Sequence, residues 1–165
     1  MSTKKIAYLG LLVALAFVFS YVEYLIPVNP GIPGVKLGLA NLVVIVALYT
    51  IGGRDAFLLS LVRIVLVGFT FSNVASMLYS LAGGLLSFGA MAAAKRTKLL
   101  SVTGVSVLGG VFHNVGQILM AMLVLETESL IYYLPVLILA GSIAGVAIGL
   151  LGAAIIRRIQ RVAGQ

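Results

Sequence analysis

One basic residue constrains this chain more than any other feature. Residues 37–69 read LGLANLVVIVALYTIGGRDAFLLSLVRIVLVGF, an apolar run broken only around Gly52-Gly53-Arg54-Asp55. Arg63 lies well inside the second half of that run. A charge at bilayer depth costs at least ~2.5 kcal/mol, so it normally faces protein or a water-filled hollow. Asn41 and Asn73 fall in or beside the same stretch. The expectation is an all-α chain: a compact bundle of membrane helices around a polar pocket.

Composition agrees with a lipid-facing surface. Of 165 residues, 62% are hydrophobic and 9% charged, where a soluble domain carries about 25% charged residues. With no Cys there is no disulfide and no thiolate site. One His and four carboxylates argue against a multi-ligand metal site. No metal and no cofactor is expected. The net charge of +7 does not point to nucleic acid, because the basic residues fall at helix ends rather than on one patch. Lys4 and Lys5 before an apolar run resemble a signal peptide. The run to Ile26 exceeds the usual h-region of about 7–15 residues, and no small-x-small cleavage site follows. It reads as a retained first helix.

A crossing helix needs roughly 17–25 apolar residues. Six spans are expected, near residues 6–26, 37–51, 56–71, 75–94, 102–125 and 130–156, in a single membrane domain. Pro27, Pro30 and Pro33 with Gly31 and Gly34 make the first connection a loop, since such a cluster cannot continue a helix. Gly52 to Asp55 reads as a tight turn, and Ser72-Asn73 as the break between the third and fourth spans. With both ends on one side, that side holds Lys4, Lys5, Arg54, Lys95, Arg96, Lys98, Arg157, Arg158 and Arg161, and the other holds Lys36. This bias places both termini in the cytoplasm.

Small residues recur at four-residue spacing. Gly141, Gly145, Gly149 and Ala153 form a row on the last span, and Ala7, Gly10 and Ala14 share a face of the first. Close backbone approach is their physical use, because apolar side chains gain little by leaving lipid for another apolar surface. The row on the last span serves packing within the bundle or docking of another membrane subunit.

The polar residues define the candidate site. Two readings of Arg63 stand: it pairs with Glu23 or caps carbonyls, or its planar fork binds a carboxylate or phosphate of a ligand. His113 and Gln117 share a helical face with Gly109, Ser106 lies a turn earlier, and Asn114 lies beside that row. Together they carry more polar groups than packing needs, and burying polar groups unpaired is costly. Glu23 is an interfacial carboxylate or a counter-charge to Arg63 or to a cationic ligand group. Lys36 snorkels at the interface or belongs to a lid. Asn41 bonds another helix or reaches the pocket. Tyr21, Tyr24, Tyr132 and Tyr133 read as interface anchors, while Tyr79, near Asn73, is placed at the pocket.

No enzyme motif appears. Gly52-Gly53 and Gly83-Gly84 lack the Lys-Ser/Thr of a phosphate-binding loop. Asp55 is the one Asp in the chain, so there are no paired Asp clusters to hold Mg²⁺ against a diphosphate. The chain is not expected to be an enzyme.

The runs Val35-Lys36-Leu37-Gly38-Leu39-Ala40-Asn41-Leu42, Ala47-Leu48-Tyr49, Gly52-Gly53-Arg54-Asp55-Ala56, Leu78-Tyr79-Ser80-Leu81-Ala82-Gly83-Gly84 and Gly110-Val111-Phe112-His113-Asn114, with Gly116-Gln117, resemble the family of Gx transporters. That family also carries the description heptaprenyl diphosphate synthase component I. It is similar to the S components of energy-coupling factor (ECF) importers. The resemblance implies a six-helix subunit in the plasma membrane of a prokaryote that captures a vitamin-like or other small molecule. A coupling subunit and two ATPases would be its partners. It also implies docking through Ala7, Gly10 and Ala14, although family members carry alanines where Gly10 stands. The alternative is a non-transporting membrane subunit of isoprenoid, quinone or electron-transfer machinery. Autonomous secondary transport is disfavoured, because few intramembrane carboxylates are available to couple protons.

Overall fold

The computed structural model describes residues 3–26, 38–162 and 164. Six α-helices follow in order: α1 (Thr3–Leu25), α2 (Leu39–Thr50), α3 (Gly53–Thr70), α4 (Val74–Thr97), α5 (Val102–Leu125) and α6 (Leu134–Val162). A short 3₁₀ stretch, Glu128–Tyr133, leads into α6. Among the described residues there is no strand. Lys36 and the Pro-rich connection, residues 27–37, lie outside the described residues.

Four helices are long and apolar enough to cross a bilayer: residues 5–25, 74–97, 102–125 and, with its 3₁₀ lead-in, 128–162. The helix α2 is only 12 residues long, about 18 Å at 1.5 Å per residue. It is the centre of the bundle. Ala40 and Leu42 through Leu48 are buried, and α1, α3 and α6 all pack against it. A helix apolar on every side belongs inside a protein or inside lipid; here its wrapping by three neighbours chooses the first. Helix α3 carries Asp55 and Arg63, which must be sheltered from lipid, while Arg54 at its start is exposed.

Local chemistry explains the ends. The turn before α3 is tighter than the sequence suggests, because Gly52 takes φ 99° and α3 starts at Gly53. Asp55 is therefore in the first helical turn, where a carboxylate suits the positive end of the helix. It is buried and ion-paired with Lys5 of α1 at 2.5 Å. Asn73 caps α4, its Oδ1 accepting from the Ser76 N–H at 2.8 Å. Asn73→Ala is expected to cost about 1 kcal/mol, read as a lower unfolding midpoint in micelles with solute affinity held. Helix α6 starts at Leu134 rather than Leu130, and Pro135 is the reason. Its ring clashes with a carbonyl four residues back and it lacks an N–H, so it fits the first turn of a helix and not the second.

At the basic end, Lys95 of α4 donates to the Leu48 carbonyl at 2.6 Å and sits 4.7 Å above the Tyr49 ring. The last carbonyls of α2 would otherwise have no intrahelical donor. The small-residue row of α6 lies against α5. A β-carbon at Gly145 would come within 2.6 Å of Val107 Cα, one at Gly149 within 2.6 Å of Thr103 Cα, and Gly110 and Gly141 touch backbone to backbone. Helices α4 and α5 meet in the same way, where a β-carbon at Gly116 would lie 2.8 Å from Gly83 Cα. The other small-residue face points away from the bundle. Ala7, Gly10 and Ala14 are exposed, and no atom would lie within 4 Å of a β-carbon at Gly10.

Candidate functional site

A cavity of about 150 Å³ lies between the helices, and all six contribute to its wall. It runs from the end of the bundle marked by Glu23, Gly38 and Ser72 inward to Met91 and Ser106. Glu23, Gly38 and Ser72 sit at the helix ends opposite Lys95 and Arg157, so the cavity opens away from the basic end.

Arg63 reaches the cavity from α3. Its Nη1 donates to Ser20 Oγ of α1 at 3.5 Å, a long bond. Its Nε is buried and has no hydrogen-bond partner among the described residues. Ser20 Oγ in turn donates to the Ala16 carbonyl at 2.9 Å, which orients its oxygen to accept from Arg63. Glu23 lines the same cavity but forms no ion pair with Arg63. One Glu23 oxygen accepts from the Gly38 N–H at 2.6 Å. Gly38 sits at the N-cap of α2 in a left-handed conformation, φ 78°, with no side chain of its own to offer. A carboxylate from α1 thus completes the start of α2, where the helix end carries positive partial charge.

Asn41 of α2 lines the cavity, and its side chain makes no hydrogen bond among the described residues. His113 and Asn114 line it from α5. Asn114 is partly committed, since its Nδ2 donates to the Leu137 carbonyl of α6 at 2.6 Å. Gln117 and Tyr79 are not in the wall. Gln117 packs on Gly83, where a β-carbon would sit 2.8 Å from its Cγ. Tyr79 is half-buried elsewhere on α4.

Several cavity residues escape a reading of the sequence. Ser76 and Ser80 on α4 line the wall, with Ser87 two turns deeper on the same helix. Serine at helical spacing was the available signal, and in membrane helices it is usually masked by hydroxyls bonded to their own backbone. Tyr24 and Phe71 form the mouth, their ring centroids 5.3 Å apart. Phe71 also meets Phe17 and Tyr21 of α1, each at 5.4 Å.

A helical chain with several bilayer-length apolar helices around a polar hollow is a multi-pass membrane protein. The chain belongs to the family described as heptaprenyl diphosphate synthase component I, whose family model matches residues 12–155. No curated protein and no solved structure matches it.

Proposed function

We propose that this chain is a solute-capturing membrane subunit, of the kind that serves as the S component of an ECF-type importer. The supporting observation is the state of Arg63. A guanidinium offers five donors, yet among the described residues it makes one long bond and its Nε has none. Buried donors are normally paired, so the missing partner is supplied by a ligand entering the cavity. In this reading all six helices cross or enter the bilayer and both termini face the cytoplasm. The cavity then opens outward. The open face of Ala7, Gly10 and Ala14 receives a coupling subunit, and two ATPases supply the energy. The chain itself catalyses nothing. At about 150 Å³ the cavity favours the small end of vitamin-like solutes, since ordinary ligand sites run to roughly 300–1,000 Å³.

A second reading follows from the family description: a membrane component that assists a heptaprenyl diphosphate synthase without transporting anything. The carboxylates for Mg²⁺-diphosphate chemistry would then come from the partner. Two measurements separate the readings. Affinity purification of the tagged chain from its native membranes is expected to recover ATPases and a coupling subunit; recovery of a prenyl synthase instead favours the second reading. In a thermal-shift screen, the ligand that stabilises the wild type is expected to have no effect on Arg63→Ala. An unchanged response in that variant removes Arg63 from the site.

A further inference from the structure

We infer that the solute is a small zwitterion, its anionic group seated on Arg63 and its cationic group on Glu23. The inference rests on the reading of the cavity as a solute site and names what that site selects.

Two opposite charges line one small cavity and are not ion-paired with each other. Left to themselves, a flexible Glu and Arg in a water-poor hollow gain by pairing. Glu23 is held back by the Gly38 N–H, which takes one of its oxygens. The other oxygen has no hydrogen-bond donor among the described residues. Arg63 is tethered on its own side by Ser20 and keeps its Nε and further N–H groups free. Each charge therefore sits in the field of the other without a salt bridge between them, and each keeps capacity to spare.

Ligand charge follows from this. A simple anion would meet Arg63 in the adverse field of Glu23, and a simple amine would meet Glu23 in the adverse field of Arg63. A molecule carrying both charges satisfies both groups and brings no net charge into the hollow. A prenyl diphosphate is excluded on charge and on length.

Size and polarity narrow the class further. An internal volume of about 150 Å³ accommodates a guest of roughly benzene size, which is the scale of a free amino acid or a short betaine. Away from the cavity, Thr50, Thr70 and Ser142 each bond a carbonyl four residues back. Ser76, Ser80 and Ser87 line the hollow, and among the described residues their hydroxyls make no such bond. Hydroxyls left open along α4 match a solute whose side group is itself polar.

The test uses the full chain in lipid nanodiscs and a thermal-shift panel. The probes are the common amino acids and short betaines, each beside its des-amino acid and its des-carboxy amine. At least one zwitterion is expected to bind about tenfold or more tightly than both of its singly charged analogues, the scale of a charge-assisted hydrogen bond. Glu23→Gln keeps an oxygen for the Gly38 N–H and so keeps the fold. It is expected to erase that tenfold margin over the des-amino acid, and Arg63→Gln to erase the margin over the des-carboxy amine. If a singly charged analogue binds best, or Glu23→Gln leaves the margin intact, the zwitterion inference falls and the solute site stands. If no compound in this panel or a wider solute screen shifts the midpoint, both fall.

Discussion

Gly141→Leu is expected to unfold most of the molecule's central interface, at a cost of about 3 kcal/mol or more. The reason is backbone, not side-chain, crowding. A β-carbon on Gly141 would stand 2.7 Å from the Gly110 carbonyl oxygen and 2.9 Å from Asn114 Nδ2. The Gly110 carbonyl is backbone and cannot swing aside, and the Asn114 amide is held by its bond to the Leu137 carbonyl. Helices α5 and α6 must separate, and the Asn114 bond to the Leu137 carbonyl breaks with them. That leaves a buried amide and a carbonyl unpaired in a medium that offers no water. Gly10→Leu is the matched control. No atom lies within 4 Å of a β-carbon there, so its stability is expected to stay within about 0.5 kcal/mol of wild type. Unfolding midpoints in the same micelles compare the two directly. Equal losses at both positions would mean that α5 and α6 do not meet as described.

The same pair shows what could be read in advance. Small residues at four-residue spacing were visible in both helices, but spacing does not say which row meets a neighbour and which meets lipid. In a soluble helix the polar face would settle the matter; in this chain both faces are apolar and that signal is lost. Helix positions were legible because turn residues such as Asn73 and Gly52 punctuate the apolar runs. The central place of α2 was not, since a run such as Leu42 to Leu48 suits a protein core and a lipid face equally. For the site, Arg63, His113, Asn114 and Asn41 stood out as polar residues at depth, and all four line the cavity. Gln117 and Tyr79 stood out by the same rule and do not. Polarity marks a residue as sheltered from lipid without saying whether its shelter is a hollow or a neighbouring helix. The α4 serines were hidden for the opposite reason, because a hydroxyl is cheap enough to satisfy on its own backbone that its presence marks nothing. The role of Glu23 at the start of α2 depends on a contact fifteen residues along the chain, which no local pattern carries.

Replacing Arg63 by methionine is expected to stabilise the fold while destroying solute binding, and the opposite signs make the result informative. From the protein Arg63 gains one hydrogen bond of 3.5 Å, to Ser20, worth at most about 1 kcal/mol net. Against it stands the cost of holding a guanidinium away from bulk water, roughly 2.5–3.5 kcal/mol on insertion scales. The side chain is only partly covered and faces a hollow, so the lower end of that range applies. Methionine has similar length, keeps the contacts of the stem with its neighbours and removes the charge. Glu23 then loses the attraction of its counter-charge, which takes back part of the gain. The balance favours Arg63→Met by about 1 kcal/mol, measured as a higher unfolding midpoint in ligand-free micelles. Isothermal titration of the wild-type ligand into the same variant is expected to give no heat. A residue kept at a cost to stability is one whose partner arrives from outside the chain. If Arg63→Met instead lowers the midpoint, the guanidinium holds α1 to α3 through Ser20 and its role is structural.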